Sequence, residues 1–179
     1  GAVRLEAVRD MTSTADPQVL IVGGDGVSYG ALPDGFSSWK QKLLQELDGQ
    51  LDHSRVHMLG HLGYDDYVAL LRVSRVHVYL TYPFVLSWSI LEAMSLGCII
   101  VASDTAPVKE VVEDGVNGLL TPFFDTARLA KQIIRVLANP KKHARLGRAA
   151  RAHVVGHYDF DKQTLPKYQQ IIQAADAPA

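Results

Sequence analysis

At 179 residues, with 47% apolar and 21% charged side chains, the chain has the size and composition of one ordinary globular domain and is too apolar to be disordered. Its net charge of −1 offers no long-range attraction for a polyanion, so no nucleic-acid partner is expected. One cysteine, Cys98, excludes an internal disulfide and fits a reducing, cytoplasmic setting; inside Cys98-Ile99-Ile100-Val101-Ala102 it reads as a small buried side chain.

No apolar stretch reaches the roughly 18–20 residues needed to cross a bilayer, and no charged segment followed by an apolar one opens the chain. Residues 1–9 read as helix from the first residue with no capping side chain before them, as in a chain cut inside a helix. Residues 1–16 are therefore expected to be a truncated leading helix and connector.

Residues 18–22 form an apolar run ending at Gly23-Gly24, the pattern of a buried strand. Residues 25–38 are rich in Gly, Ser, Pro and Asp and read as a long loop. Residues 39–47 have helical spacing, with Leu43, Leu44 and Leu47 on one face. A second strand over 56–59 stops at Gly60, and a helix over 65–73 offers Tyr67, Leu70 and Leu71 to the core. Residues 76–80 give a third strand, followed by a turn at Tyr82-Pro83. A helix over 87–96 ends at Gly97, a fourth strand follows over 98–102, and 118–120 give a short fifth. Three helices close the chain, over 126–137, 141–157 (with a break expected near Gly147) and 161–174; Asn139-Pro140 separates the first two. Apolar strands alternating with helices predict a parallel sheet covered on both faces, a doubly wound, Rossmann-like α/β domain over 17–160 followed by a C-terminal helix and tail over 161–179. Ligands of such sheets sit beyond the carboxyl ends of the strands, which directs attention to the loops after Val22, Leu59, Leu80 and Ala102.

Gly23-Gly24-Asp25-Gly26 follows a strand, but a long loop separates it from the next helix. A dinucleotide fingerprint needs G-x-G-x-x-G leading straight into a helix, so an NAD site is excluded. The glycines leave either backbone that something approaches closely or a flexible turn. Residues 81–94 are more informative. They place a helix start, with Ser87 as its cap, at the carboxyl end of a strand, where unpaired N–H groups and the positive end of the helix dipole suit a phosphate. Glu92 lies about one and a half turns in, with Ser89 and Ser95 at helical spacing on either side; it is either part of a solvated polar stripe or a ligand contact. After the fourth strand, Pro107 suits the first turn of a helix that Asp104 or Thr105 would cap.

Lys141, Lys142, Arg145, Arg148 and Arg151 form a basic face, read as solvated, with peripheral membrane contact of a larger protein as the alternative. His53, His57 and His61 straddle loop, strand and turn without metal-ligand spacing, and Asp65-Asp66 opens a helix, so no metal site is expected. Ser or Cys nucleophile constellations are absent from the pattern, and no catalytic residue is assigned.

Taken in order, Val19 to Gly26, Val56 to Leu62, Ser87 to Gly97, Ser103 to Val112 and Asp114 to Leu120 resemble the C-terminal domain of GT-B glycosyltransferases of the glycosyl transferases group 1 family, the retaining enzymes that carry a Glu-x7-Glu motif. The resemblance covers about residues 17–158. It implies that Glu92 is the second motif Glu, holding the ribose hydroxyls of a nucleotide-sugar donor, most readily a UDP-sugar. It places the backbone of Gly60, His61 and Leu62 at the nucleobase edge, and Leu86, Ser87 and Trp88 at the diphosphate and donor sugar, with Gly24 in the adjoining loop. Phe84 stands where the first motif Glu would be, in a Tyr-Pro-Phe-Val-Leu-Ser-Trp-Ser variant of the segment. The family also implies a glycan or lipid-linked acceptor, an N-terminal acceptor-binding domain outside this chain, and no activity for this part alone. A non-catalytic nucleotide-binding or interaction module, or a sugar-nucleotide epimerase of the same fold, are the alternatives.

Overall fold

A computed structural model describes residues 17–27, 30–81 and 85–175. The expected leading helix over 1–16 lies outside the described residues. In chain order the elements are β1 (Val19–Val22), α1 (Trp39–Glu46), β2 (Val56–Gly60), α2 (Tyr64–Val73), β3 (Val76–Tyr79), α3 (Trp88–Ser95), β4 (Ile99–Ser103), α4 (Ala106–Lys109), β5 (Leu119–Thr121), α5 (Thr126–Ala138) and α6 (Pro140–Tyr158). A π-helical turn (Phe160–Thr164) then leads into α7 (Leu165–Ala175). The class is the doubly wound α/β type expected, with every strand pair parallel and a helix in each crossover.

The strands pair as two ladders, β1-β2 and β3-β4-β5. All five residues of β4 are buried, because both faces of its sheet are covered. On one face Ile100 and Ala102 pack with Leu71 of α2, Ile90, Ala93 and Met94 of α3, and Ala150 and Val154 of α6. On the other, Val101 meets Leu129, Ala130 and Ile133 of α5, and Ile99 meets Val136 and Leu146. The β1-β2 ladder differs. One face rests on Leu43, Leu44, Leu47 and Leu51. On the strands themselves Leu20 is 39%, Val22 36% and Leu59 37% exposed, so among the described residues coverage of both faces holds only for the β4 sheet. Val19 packs in the clusters of both sheets, so they abut through side chains.

The break expected near Gly147 does not occur: α6 runs unbroken from Pro140 to Tyr158. A Cβ at Gly147 would fall 2.2 Å from the carbonyl oxygen of Gly97, so the glycine lets the helix backbone press against the turn between α3 and β4. Of the basic face on α6, Arg145 donates to the Gly115 carbonyl at 3.0 Å and Arg151 to the Ser95 carbonyl, while Lys141, Lys142 and Arg148 are exposed. Among the described residues, no helix is long and apolar enough to cross a membrane.

Candidate functional site

The start of α3 is built by its neighbours. Ser87 is its N-cap, and the side-chain oxygen accepts from the Ser89 N–H at 3.3 Å and from the Ser89 hydroxyl at 3.0 Å. The Ser87 N–H donates to the Tyr79 hydroxyl at 2.9 Å, which ties the cap to the last residue of β3. Leu86 turns its side chain into the core against Met94 and its neighbours. Trp88, in the first turn, is 80% exposed. The helix thus opens at the carboxyl end of β3 with two of its first N–H groups engaged internally. Phe84 lies outside the described residues, as do Tyr82 and Pro83.

Beyond β3 and β4 the loops are cross-linked. The Thr81 N–H donates to Ser103 Oγ at 3.0 Å and the Ser103 hydroxyl donates back to the Thr81 carbonyl at 2.9 Å. Ser103 is wholly buried, so this pair holds the two strand ends in fixed relation. Thr105 is the N-cap position of α4 without a side-chain cap bond, and Asp104 pairs with Lys109 at 2.8 Å.

A second group of expected site residues gathers beyond β1 and β2. The Gly23 N–H donates to the Gly60 carbonyl at 2.9 Å. The His61 ring lies so close to Gly24 that a Cβ there would stand 2.2 Å from Nε2, and so Gly24 admits the imidazole. Gly60 has a φ of 67°, a left-handed turn that ends β2 ahead of His61 and Leu62. Gly24, Gly60, His61 and Leu62 therefore cluster at one ladder's carboxyl end, and Leu86, Ser87, Trp88 and Glu92 at the other's.

Glu92, Ser89 and Ser95 are each half-buried, so the stripe they form is not a freely solvated face. The Ser95 hydroxyl donates to the Glu92 carbonyl at 2.7 Å. Beside Glu92 stands Tyr67 of α2, a residue the sequence offered only to the core. Burial first, then the charge of the Glu92 carboxylate, push its phenol up to about 12. Tyr79, which holds Ser87, likewise stands in the sequence only as part of the strand over 76–80. In both, the signal was a hydroxyl carried on an otherwise apolar face.

A cavity of about 540 Å³ opens beyond β4 and β5, lined by Asp104, Lys109, Glu113, Asp114, Asn117 and Arg128 among others. Several of its polar groups are engaged in structure. Asn117 accepts from the Glu113 N–H and donates to the Val111 carbonyl, Asp114 accepts from the Leu120 N–H, and Asp104 holds Lys109. The side chains of Asp114 and Asn117 are thus spent on shaping the turn that leads into β5.

Residues 3–153 match the family model described as Glycosyl transferases group 1. An uncharacterised glycosyltransferase from Methanocaldococcus jannaschii is 26% identical over 131 residues, which is 73% of this chain and 33% of that protein. Among solved structures, Anabaena HepE in complex with UDP and glucose superposes with a TM-score of 0.78 at 22% identity, covering 95% of this chain and 45% of its own. Sucrose-phosphate synthase from Thermosynechococcus elongatus gives 0.80 at 23% identity, covering 97% and 43%. At these identities the structural likeness is one of fold. The chain spans about a third of the length of the curated relatives it matches.

Proposed function

The chain belongs to the glycosyl transferases group 1 family, and on that premise we propose that it is the donor-binding part of a GT-B glycosyltransferase. It would hold a nucleotide diphosphate sugar, a UDP-sugar, for metal-independent transfer with retention to a glycan or lipid-linked acceptor. The observation that carries this reading is the start of α3. A helix capped by Ser87 is fixed to β3 through Tyr79, opens at the carboxyl edge of the sheet, and carries a half-buried carboxylate, Glu92, one and a half turns in. The choice of a uridine nucleotide is supported by HepE, which was solved with UDP and glucose.

The residues divide the work as follows. Glu92 accepts hydrogen bonds from the ribose hydroxyls. The backbone beyond Gly60, steadied where His61 rests on Gly24, meets the edge of the base. The positive end of the α3 dipole faces the diphosphate and stabilises its charge as the glycosidic bond breaks. Because the Ser87 and Ser89 N–H groups already have partners, the helix start alone stabilises a diphosphate weakly. Cationic side chains from outside this chain are needed to complete the clamp. The acceptor is held by a further domain of the intact protein. Support for such a domain comes from α7, whose Tyr168, Ile171 and Ile172 are 58–65% exposed.

The test is titration of UDP into the intact protein and its Glu92→Ala variant. Loss of a charge-assisted hydrogen bond should cost about 1.5–3 kcal/mol, near the lower figure in an open site. Equal affinity in the two proteins would remove Glu92 from the donor site.

A further inference from the structure

Tyr67 and Glu92 come from different helices, and the fold sets them side by side. The Tyr67 side chain packs on the cluster that holds Ala93 and Met94, the two residues after Glu92. Helix α2 is anchored there by the Cys98 thiol, which donates to the Leu71 carbonyl at 3.2 Å. The Tyr67 hydroxyl is buried and has no group in hydrogen-bonding geometry. A buried, unpaired hydroxyl is unfavourable, and a Phe at this position would avoid it. Glu92 is the acceptor that bears on this hydroxyl, and the bond between them is not closed. With its pKa at about 12, the phenol keeps its proton throughout the physiological range and stays a donor.

We infer that Tyr67 is a positioning residue for Glu92: its hydroxyl binds one carboxylate oxygen and turns the carboxylate toward the ribose of the bound nucleotide. The inference rests on the reading of Glu92 as the ribose ligand. An ionised carboxylate has about four acceptor sites, so one given to Tyr67 leaves room for both ribose hydroxyls. The main chain of Glu92 is held by α3 and by the Ser95 hydroxyl. What remains free is rotation of its side chain. Closing the bond to a donor fixed in the core restricts that rotation and holds the carboxylate where the ribose hydroxyls meet it.

The experiment compares UDP with 2′,3′-dideoxy-UDP, which lacks the ribose hydroxyls, by titration calorimetry on the intact protein. Wild type should prefer UDP. Tyr67→Phe should weaken UDP about fivefold and leave the dideoxy analogue within about twofold of wild type. In a Glu92→Gln background the same substitution should change UDP affinity by less than about twofold, since its effect acts through the carboxylate. A Tyr67→Met variant repeats the measurement if the Phe variant melts early. Equal losses for UDP and its analogue would make Tyr67 a packing residue and overturn the inference. Unchanged UDP affinity would overturn it too, while leaving Glu92 in place. A wild type that does not distinguish the two nucleotides would remove the ribose contact of Glu92, and the inference with it.

Discussion

His77 lies in β3 opposite Ile100 of β4, where desolvation pushes its pKa down to about 4. An unfolded chain has a histidine pKa of about 6.5. Between these values the unfolded state takes up a proton that the folded state refuses. The stability contributed by neutral His77 is therefore complete above pH 6.5, falls as the pH drops, and is gone below about 4. At pH 5 the loss should be about 1–2 kcal/mol, discounted for the part of the ring that reaches solvent. Urea unfolding at pH 7.5 and 5.0 checks this: His77→Val should lose less stability between the two than wild type does. Equal losses would place the acid sensitivity elsewhere. At this scale the sequence was legible where a side chain acts on the backbone next to it. Ser87 is the cap its position before an apolar helix suggested. The hydroxyls of Tyr67 and Tyr79 were not legible, because their partners lie 25 and 8 positions away and the apolar spacing explained both rings without them.

The elements themselves were mostly readable, since apolar period and capping residues are local signals. Two departures show where locality fails. Helix α6 is continuous through Gly147, which a propensity scale treats as a weak point worth about 1 kcal/mol. The reason for the glycine is the Gly97 carbonyl, fifty positions away in the chain and against the helix in space. Gly147→Ala should therefore destabilise by about 1–3 kcal/mol, although alanine is the better helix former, because the methyl group forces α6 off the α3–β4 turn. Chemical denaturation measures it, and a stabilised variant would show that the turn yields. The second departure is at the C-terminus. A helix was expected from 161, whereas Asp159 caps a π-helical turn by accepting from the Lys162 N–H at 2.9 Å before α7 begins. The capping carboxylate was present in the sequence, but Asp161 offered an equally good start two residues on.

For the whole molecule, the fold class and family were legible, and the neighbours of each strand were not. Strand order depends on pairing between residues about twenty to forty apart, and an apolar run carries no mark of its partner. Hence a single sheet was expected where two ladders stand. That division sets how the molecule opens. Strand β4 is sealed between helices on both faces, so its amides exchange with solvent only when the entire chain unfolds. The β1-β2 ladder rests on a smaller cluster around Leu47, Leu51 and Val56, so it opens as a separate unit at lower free energy. Native-state hydrogen exchange across a denaturant series should show two isotherms, with Ile21 and Met58 exchanging through the smaller opening and Ile100 and Val101 through the larger. A single isotherm for all four would mean that the ladders unfold as one. A ligand that touches the ends of both ladders would merge the isotherms, and the edge beyond Gly60, which we propose meets the base, would then gain its order from the bound nucleotide.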